Sequence, residues 1–226
     1  MNSIQEFYNQ HHFPGYYTIQ GITDYDTKIN RFVNAIDQQL ANGLRVLDVG
    51  CGTGLLTNLF ALKYKKSQFT GIDFSSAVDY ADKFASDNNI KNAKFIKKDF
   101  FDFDTDSRYD VIIAQSFLTH VVDCAGAVKK LKSLLTPNGI LVLGIYHPAG
   151  KIAKKLIKIS YGNDRLALDQ ESNPFEVAYT KEQISQMFGE FKFLSVTPSV
   201  FTKLVGFVNI FNYKNGGLTV YALSRK

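Results

Sequence analysis

The 226-residue sequence contains only two cysteines, Cys51 and Cys124. Two thiols cannot build a disulfide framework and leave no spare ligands for a Cys-type zinc site, so a reducing compartment and no bound metal are expected. No apolar run approaches the roughly 18 residues that a membrane helix needs. The opening MNSIQEFYNQ lacks the cationic and apolar regions of a signal peptide, and the expectation is a cytoplasmic protein with no membrane partner. Arginine is scarce, at five of the 26 basic residues. Nucleic-acid surfaces use arginine for bidentate contacts to phosphate and guanine. The net charge of +5 therefore reads as lysine-rich solvated helix faces, although charge alone does not settle the partner. These lysines cluster at 63–66, 97–98, 129–132 and 151–158. Internal repeats and low-complexity tracts are also missing.

What is present is an ordinary globular composition, 45% hydrophobic and 21% charged. The length suits one large domain over residues 1–226 with a full core. Arg45–Val49, Phe69–Phe74, Ala93–Lys98, Tyr109–Ser116 and Ile140–Tyr146 read as five short apolar strands. Leu55, Leu56, Leu59, Phe60 and Leu62 recur at helical spacing after the first. Ser75 and Ser76 are N-cap candidates for a helix carrying Val78, Ala81 and Phe84. Asp123 caps a third helix that Pro137, Asn138 and Gly139 terminate. Parallel neighbours need such crossovers, so the fold class is α/β, with a mostly parallel sheet and helices on both faces.

The ends differ from this core of residues 45–147. Residues 1–44 form an N-terminal cover, with an aromatic-rich start (Phe7, Tyr8, Phe13, Tyr16, Tyr17) and a helix bearing Ile29, Phe32, Val33, Ile36 and Leu40. Residues 148–226 begin irregularly, with a basic amphipathic stretch from Ile152 to Ile159. Thr180 and Gln183 then make a capping box, stapled by Tyr179 and Ile184, for a helix from Lys181 to about Phe188. Phe191–Val200 and Leu218–Ser224 complete the chain as strands, the last preceded by Gly216 and Gly217.

The chemistry-bearing residues gather at strand ends. Val46–Gly54, VLDVGCGTG, is a strand running into a glycine-rich turn and a helix N-terminus with unpaired N–H groups. Asp73 ends the second strand, where a carboxylate can accept both hydroxyls of a ribose, and Asp99 ends the third. Either aspartate alone would be read as a turn cap. Together with the glycines they mark a nucleoside-type ligand at the switch point of a parallel sheet.

VLDVGCGTG, GIDFS, KKDF, YDVIIAQSFLTHV and LTPNGILVLG, in this order, resemble the class I S-adenosylmethionine-dependent methyltransferases. The resemblance implies a Rossmann-like seven-stranded sheet, order 3-2-1-4-5-7-6, with the last strand antiparallel. It implies that Gly50, Gly52 and Gly54 pass under the methionine part of S-adenosylmethionine and that Asp48 neighbours its amino group. Asp73 would bind the ribose and Phe74 pack on the adenine. Asp99 would accept from the adenine amino group, the Phe100 backbone contact the ring, and Gln115 and Ser116 face the methionine. The implied activity is in-line methyl transfer to a small-molecule acceptor.

A nicotinamide dehydrogenase is disfavoured, because its turn reads G-x-G-x-x-G and Asp48 would repel a pyrophosphate. An RNA methyltransferase and a non-catalytic S-adenosylmethionine-binding regulator stay open as alternatives. Transfer mainly requires alignment. A base is needed only for an acceptor protonated at neutral pH, and His120 and His147, each just after a strand, are the candidates. Surface capping for His120 and packing before Pro148 for His147 are the competing readings. Tyr8, Phe13, Tyr16 and Tyr17 read either as a lid against the sulfonium or as an anchor for the N-terminal segment. His11 and His12 are expected at the solvent. The basic stretch from Lys151 to Lys158 reads as a solvated helix face in preference to an acidic-substrate entrance or a contact with a membrane surface.

Overall fold

The computed structural model describes residues 3–15, 17–22, 31–146, 148, 175–197 and 218–226. His147, Tyr16, the stretch from Ile152 to Ile159 and the Gly216–Gly217 pair lie outside them. Seven strands form one sheet: β1 (Arg45–Val49), β2 (Gln68–Asp73), β3 (Ala93–Lys97), β4 (Tyr109–Gln115), β5 (Leu135–Tyr146), β6 (Phe191–Thr197) and β7 (Leu218–Arg225). Their spatial order is β3-β2-β1-β4-β5-β7-β6. β1 pairs in parallel with β2 and β4, β2 with β3, and β4 with β5, whereas β7 runs antiparallel to both β5 and β6. Order and direction are those expected from the sequence.

Strand alternation sorts the side chains into two cores. Leu47, Ile112, Leu141, Leu143 and Leu223 face one side of the sheet. Val46, Val111, Ile113, Val142 and Val220 face the other. Helices α2 (Arg31–Asp37), α3 (Leu55–Lys63) and α4 (Ala77–Asp87) cover the second side, through Ile36, Phe60 and Phe84. α5 (Cys124–Leu134) and α6 (Lys181–Met187) cover the first, through Leu131 and Ile184. Burial on both faces explains why the central strands read as nearly unbroken apolar runs. A short helix α1 (Ser3–Gln10) sits at the carboxyl ends of the strands.

Several boundaries differ from the pattern-based ones. β4 stops at Gln115 because Ser116 takes the left-handed conformation, φ 56°, while its N–H still reaches Gly144 O at 2.9 Å. β5 begins earlier, since Leu135 already pairs with Tyr109; Pro137, Asn138 and Gly139 bulge out before Ile140 resumes the register opposite Val111. α2 ends at Asp37, and Leu40 is buried from the turn that follows. At α4 the N-cap position belongs to Ser76, yet its side chain makes no cap bond. Ser75 Oγ, 3.3 Å from Ala77 N, takes that role. Several lysines of the basic runs pair with carboxylates, Lys63 with Asp37, Lys97 with Asp79 and Lys132 with Glu190.

The capping box is formed as its spacing requires. Gln183 N donates to Thr180 Oγ1 at 3.3 Å and Thr180 N to Gln183 Oε1 at 2.8 Å. Tyr179 and Ile184 are both buried in the same core. Thr180→Ala is expected to lower the unfolding free energy by about 1 kcal/mol, measured by denaturant titration, because one orphan N–H of α6 loses its acceptor.

Candidate functional site

The chain runs β1, β2, β3 outward on one side of β1 and then crosses to β4 on the other, so a crevice opens at the carboxyl ends of β1 and β4. The glycine turn lies there. Gly50, Gly52 and Gly54 have φ of 70°, 54° and 75°, a region that glycine enters without steric cost. Each faces a different neighbour. A Cβ on Gly50 would come 3.3 Å from the Phe117 ring, and one on Gly52 would collide with the Phe13 carbonyl oxygen. A Cβ on Gly54 would press on Ala81 and Phe95 at 2.6 and 2.7 Å. Gly54 is thus a packing glycine between α3, α4 and β3, whereas Gly50 and Gly52 face the crevice and what closes it.

Asp73 ties the turn to the next strand. Gly52 N donates to its Oδ2 at 2.9 Å, and Ser75 N and Oγ donate to its Oδ1 at 2.8 and 2.6 Å. The residue is 9% exposed. Burial pushes its carboxyl pKa up, and the bonds from Ser75 and Gly52 pull it back. Oδ2 spends one lone pair on Gly52, which leaves acceptor capacity for a hydroxyl. Phe74 follows at half exposure, its ring 6.1 Å from that of Tyr8.

Asp48 lies behind the turn, 3% exposed, accepting from Thr57 Oγ1 at 2.6 Å. Burial pushes its carboxyl up to about 7; the Thr57 hydroxyl opposes this and the neighbouring Asp73 charge adds to it. Asp99 is exposed, and its carboxylate accepts from Phe101 N at 2.8 Å, capping its own turn. Phe100 is buried, edge-on to Phe117 at 5.0 Å. The Gln115 amide lies across Gly144, where a Cβ would displace it. Ser116, half-exposed, begins the turn over the crevice.

His120 ends a 3-10 turn (Leu118–His120) beside β4. Its Nδ1 lies 3.0 Å from Phe175 O, and its ring is edge-on to Tyr8 and Tyr146 at 6.0 and 6.2 Å. A carbonyl only accepts, so Nδ1 carries the proton in the neutral ring and Nε2 holds the lone pair. His12, expected at the solvent, instead reaches Ser76 Oγ with Nε2 at 2.8 Å. Tyr17 is an anchor: its hydroxyl donates to Thr53 O at 2.6 Å and accepts from Asn58 Nδ2 at 3.0 Å. Its burial raises the phenol pKa.

Sequence reasoning missed Phe117, Thr57 and Thr53. The first two sit at ordinary helical or turn positions and matter only through neighbours from other strands. A depression of about 540 Å³ beside α5, lined in part by Lys129, Lys132, Glu190 and Arg225, includes none of the site residues. Two of its cations are engaged locally, Lys132 with Glu190 and Arg225 with Lys132 O. Among the described residues no group of His, Cys, Asp and Glu is arranged to hold a metal, and no helix is long and apolar enough to cross a membrane.

This sheet order, with a glycine turn at its switch point and a carboxylate closing β2, defines a class of Rossmann-like methyltransferase folds. Residues 40–192 match the methyltransferase-domain family, and the chain belongs to it. It is 30% identical over 140 residues to (S)-coclaurine N-methyltransferase of Papaver somniferum, covering 61% of this chain and 40% of that protein. It is also 30% identical over 149 residues to malonyl-[acyl-carrier protein] O-methyltransferase of Acetivibrio thermocellus, covering 64% and 50%. The chain thus spans about half the length of these curated relatives. Among solved structures, magnesium protoporphyrin IX methyltransferase of Synechocystis PCC 6803, with bound S-adenosylhomocysteine, superposes over 99% of this chain and 98% of its own, with TM-score 0.64 and 16% identity. Coclaurine N-methyltransferase bound to N-methylheliamine and S-adenosylhomocysteine superposes over 95% and 76%, with TM-score 0.64 and 15% identity. At such identities these two support the fold.

The raised Asp48 pKa has a defined sign. A carboxyl near 3.8 when unfolded and near 7 when folded takes up a proton on folding between those values. Its contribution to stability is fully present below about pH 4 and is lost as pH rises through about 7. Asp48→Asn, which keeps an acceptor for Thr57, is expected to gain on the wild-type protein across this window, by on the order of 2–4 kcal/mol at the upper end. Parallel unfolding curves from pH 4 to 8 would contradict the assignment.

Proposed function

We propose that the chain transfers a methyl group from S-adenosylmethionine to a small-molecule acceptor by in-line displacement. The observation that carries this reading is the Asp73 carboxylate, buried at the end of β2 and bonded to Gly52 N, beside a glycine turn at the switch point of the sheet. A carboxylate with spare lone pairs, an adjacent Phe74 ring and a backbone free of side chains at Gly50 suit a vicinal diol, a base and an extended chain in that order. Family membership and the S-adenosylhomocysteine in the structural neighbours support the same ligand.

Bound there, S-adenosylmethionine would supply a methyl group on a sulfonium that leaves as a neutral thioether. The work of the protein is to hold and align. Asp73 would accept the ribose hydroxyls, Phe74 would lie on the adenine, and the Phe100 backbone with Asp99 would meet its edge. Gly50, Gly52, Gln115 and Ser116 would border the methionine portion. Asp48 would face its ammonium group, which would draw the carboxyl back toward its ionised form. His120 would take a proton at Nε2 from an acceptor that carries one, with Phe175 O holding the ring in the required tautomer. His147 is kept as a second candidate base from its place after β5. A small acceptor is supported by relatives named as (S)-coclaurine N-methyltransferase and ubiquinone biosynthesis O-methyltransferase, and by the aromatic enclosure of His120 between Tyr8 and Tyr146.

Incubation with methyl-labelled cofactor and a metabolite extract is expected to place label in a low-mass product. Label in RNA, or cofactor binding without transfer, would overturn this reading. Asp73→Asn is expected to weaken S-adenosylhomocysteine binding by about 10- to 100-fold in calorimetry, the loss of a charged acceptor for hydroxyls. On the acceptor so identified, His120→Ala is expected to lower turnover while leaving cofactor affinity within about twofold. Unchanged turnover would remove His120 from the chemistry.

A further inference from the structure

The N-terminal segment does more than cover the crevice. All three polar groups of Thr53, which stands between Gly52 and Gly54 in the glycine turn, are held by Phe13, Gly15 and Tyr17. Thr53 N donates to Phe13 O at 2.8 Å, Thr53 Oγ1 to Gly15 O at 3.0 Å, and Thr53 O accepts from the Tyr17 hydroxyl at 2.6 Å. Thr53 is fully buried by this arrangement. The turn after β2 is held in the same way from α1. Gln5 Nε2 donates to Phe74 O at 3.0 Å, Asn9 Oδ1 accepts from Ser76 N at 2.8 Å, and His12 Nε2 is 2.8 Å from Ser76 Oγ. Gln5 and Asn9, four apart, share one face of α1, and His12 follows just beyond its end, so this stretch of the segment grips the second turn. These are the two turns that Asp73 links, through Gly52 N on one and Ser75 on the other.

We propose that Tyr17 and His12 are positioning residues for the adenosyl site, latching the N-terminal segment onto the glycine turn and the β2–α4 turn so that cofactor binding and segment closure favour one another. This rests on the cofactor reading above and adds which residues shape the turns. The physical reason is the geometry of Gly52. Its N–H points at Asp73 because the turn is folded tightly, and the turn is folded tightly because the Phe13 carbonyl occupies the space over Gly52 and takes the next N–H. Release of the segment would expose three Thr53 groups and two of Ser76 at once and loosen both sides of the Asp73 contact. Burial raises the Asp73 pKa, and His12 stands close enough to add, as the smallest contribution, to the Ser75 and Gly52 bonds that oppose the rise. Reciprocity follows from linkage: whatever factor the latch adds to cofactor affinity, the cofactor must add to latch closure.

The test uses the full chain with S-adenosylhomocysteine as probe. Calorimetric affinity is measured for the wild-type protein, Tyr17→Phe and His12→Ala, with Thr180→Ala as a control that lowers stability at the start of α6 and touches neither turn. Hydrogen exchange at the Thr53 and Ser76 amides is followed with and without the probe. Tyr17→Phe, which removes the donor to Thr53 O and the acceptor for Asn58, is expected to weaken binding about 5- to 30-fold, and His12→Ala about 3- to 10-fold. Thr180→Ala is expected to bind as the wild type does. The probe is expected to slow exchange at both amides in the wild type, and less so in Tyr17→Phe. Variants that bind as tightly as the wild type, or exchange that the probe leaves unchanged, would overturn the latch and leave the cofactor reading standing. Absence of binding to the wild-type protein would overturn both.

Discussion

One hydrogen bond organises the functional end of the molecule: Gly52 N–H to the Asp73 carboxylate. It joins the turn after β1 to the end of β2, next to the bonds that Gly50 N and Cys51 N send to Ile72 O. A charged acceptor in a nearly water-free position is effective only if it is well supplied with donors, and Ser75 adds two more. Gly52 must be glycine because its left-handed backbone is pressed by a carbonyl from a distant segment. The rest of the site, from Phe74 to the crevice at Gly50, takes its place from this contact.

Two buried carboxylates so close together raise an electrostatic difficulty, and the structure treats them unequally. Asp73 has three donors, whereas Asp48 has the Thr57 hydroxyl and rises to about 7. The pair therefore holds one acceptor whose burial is opposed by three donors and one carboxyl ready to respond to a cation. A ligand with a diol at one end and an ammonium group at the other answers both, which is why the two carboxylates argue for the same molecule. Covering the crevice with α1, Phe13, Gly15 and Tyr17 makes these interactions stronger by removing water.

Much of the sheet was legible in the residues because its signals are local. A strand buried on both faces must be apolar throughout, and β1, β4 and β5 read that way. The capping box at Thr180 and the glycine turn at Gly50–Gly54 are short-range patterns with fixed geometry. Boundaries were less legible where tertiary pairing competes with local preference, as at Leu135, which joins the sheet through Tyr109 before the Pro-Asn-Gly bulge. The site was legible in part. Asp73 and the glycines stand in the crevice region, but Asp99 caps an exposed turn and Gly54 serves helix packing. His12, read as a solvent residue, grips Ser76.

Sequence by itself determined the alternation of strands and helices, the order of the sheet through its likeness to a known family, and the positions of the carboxylates at strand ends. Periodicity and turn chemistry are properties of neighbours along the chain, so they can be read there. Only the tertiary structure decided which glycine meets the crevice, which tautomer His120 holds, and that Gln5, Asn9, His12, Phe13, Gly15 and Tyr17 are bound into the turns around Asp73. Those outcomes depend on groups separated by some 20 to 70 positions (Gly52 and Asp73, His120 and Phe175, Gln5 and Phe74) meeting at hydrogen-bond distance. No local pattern encodes such a meeting.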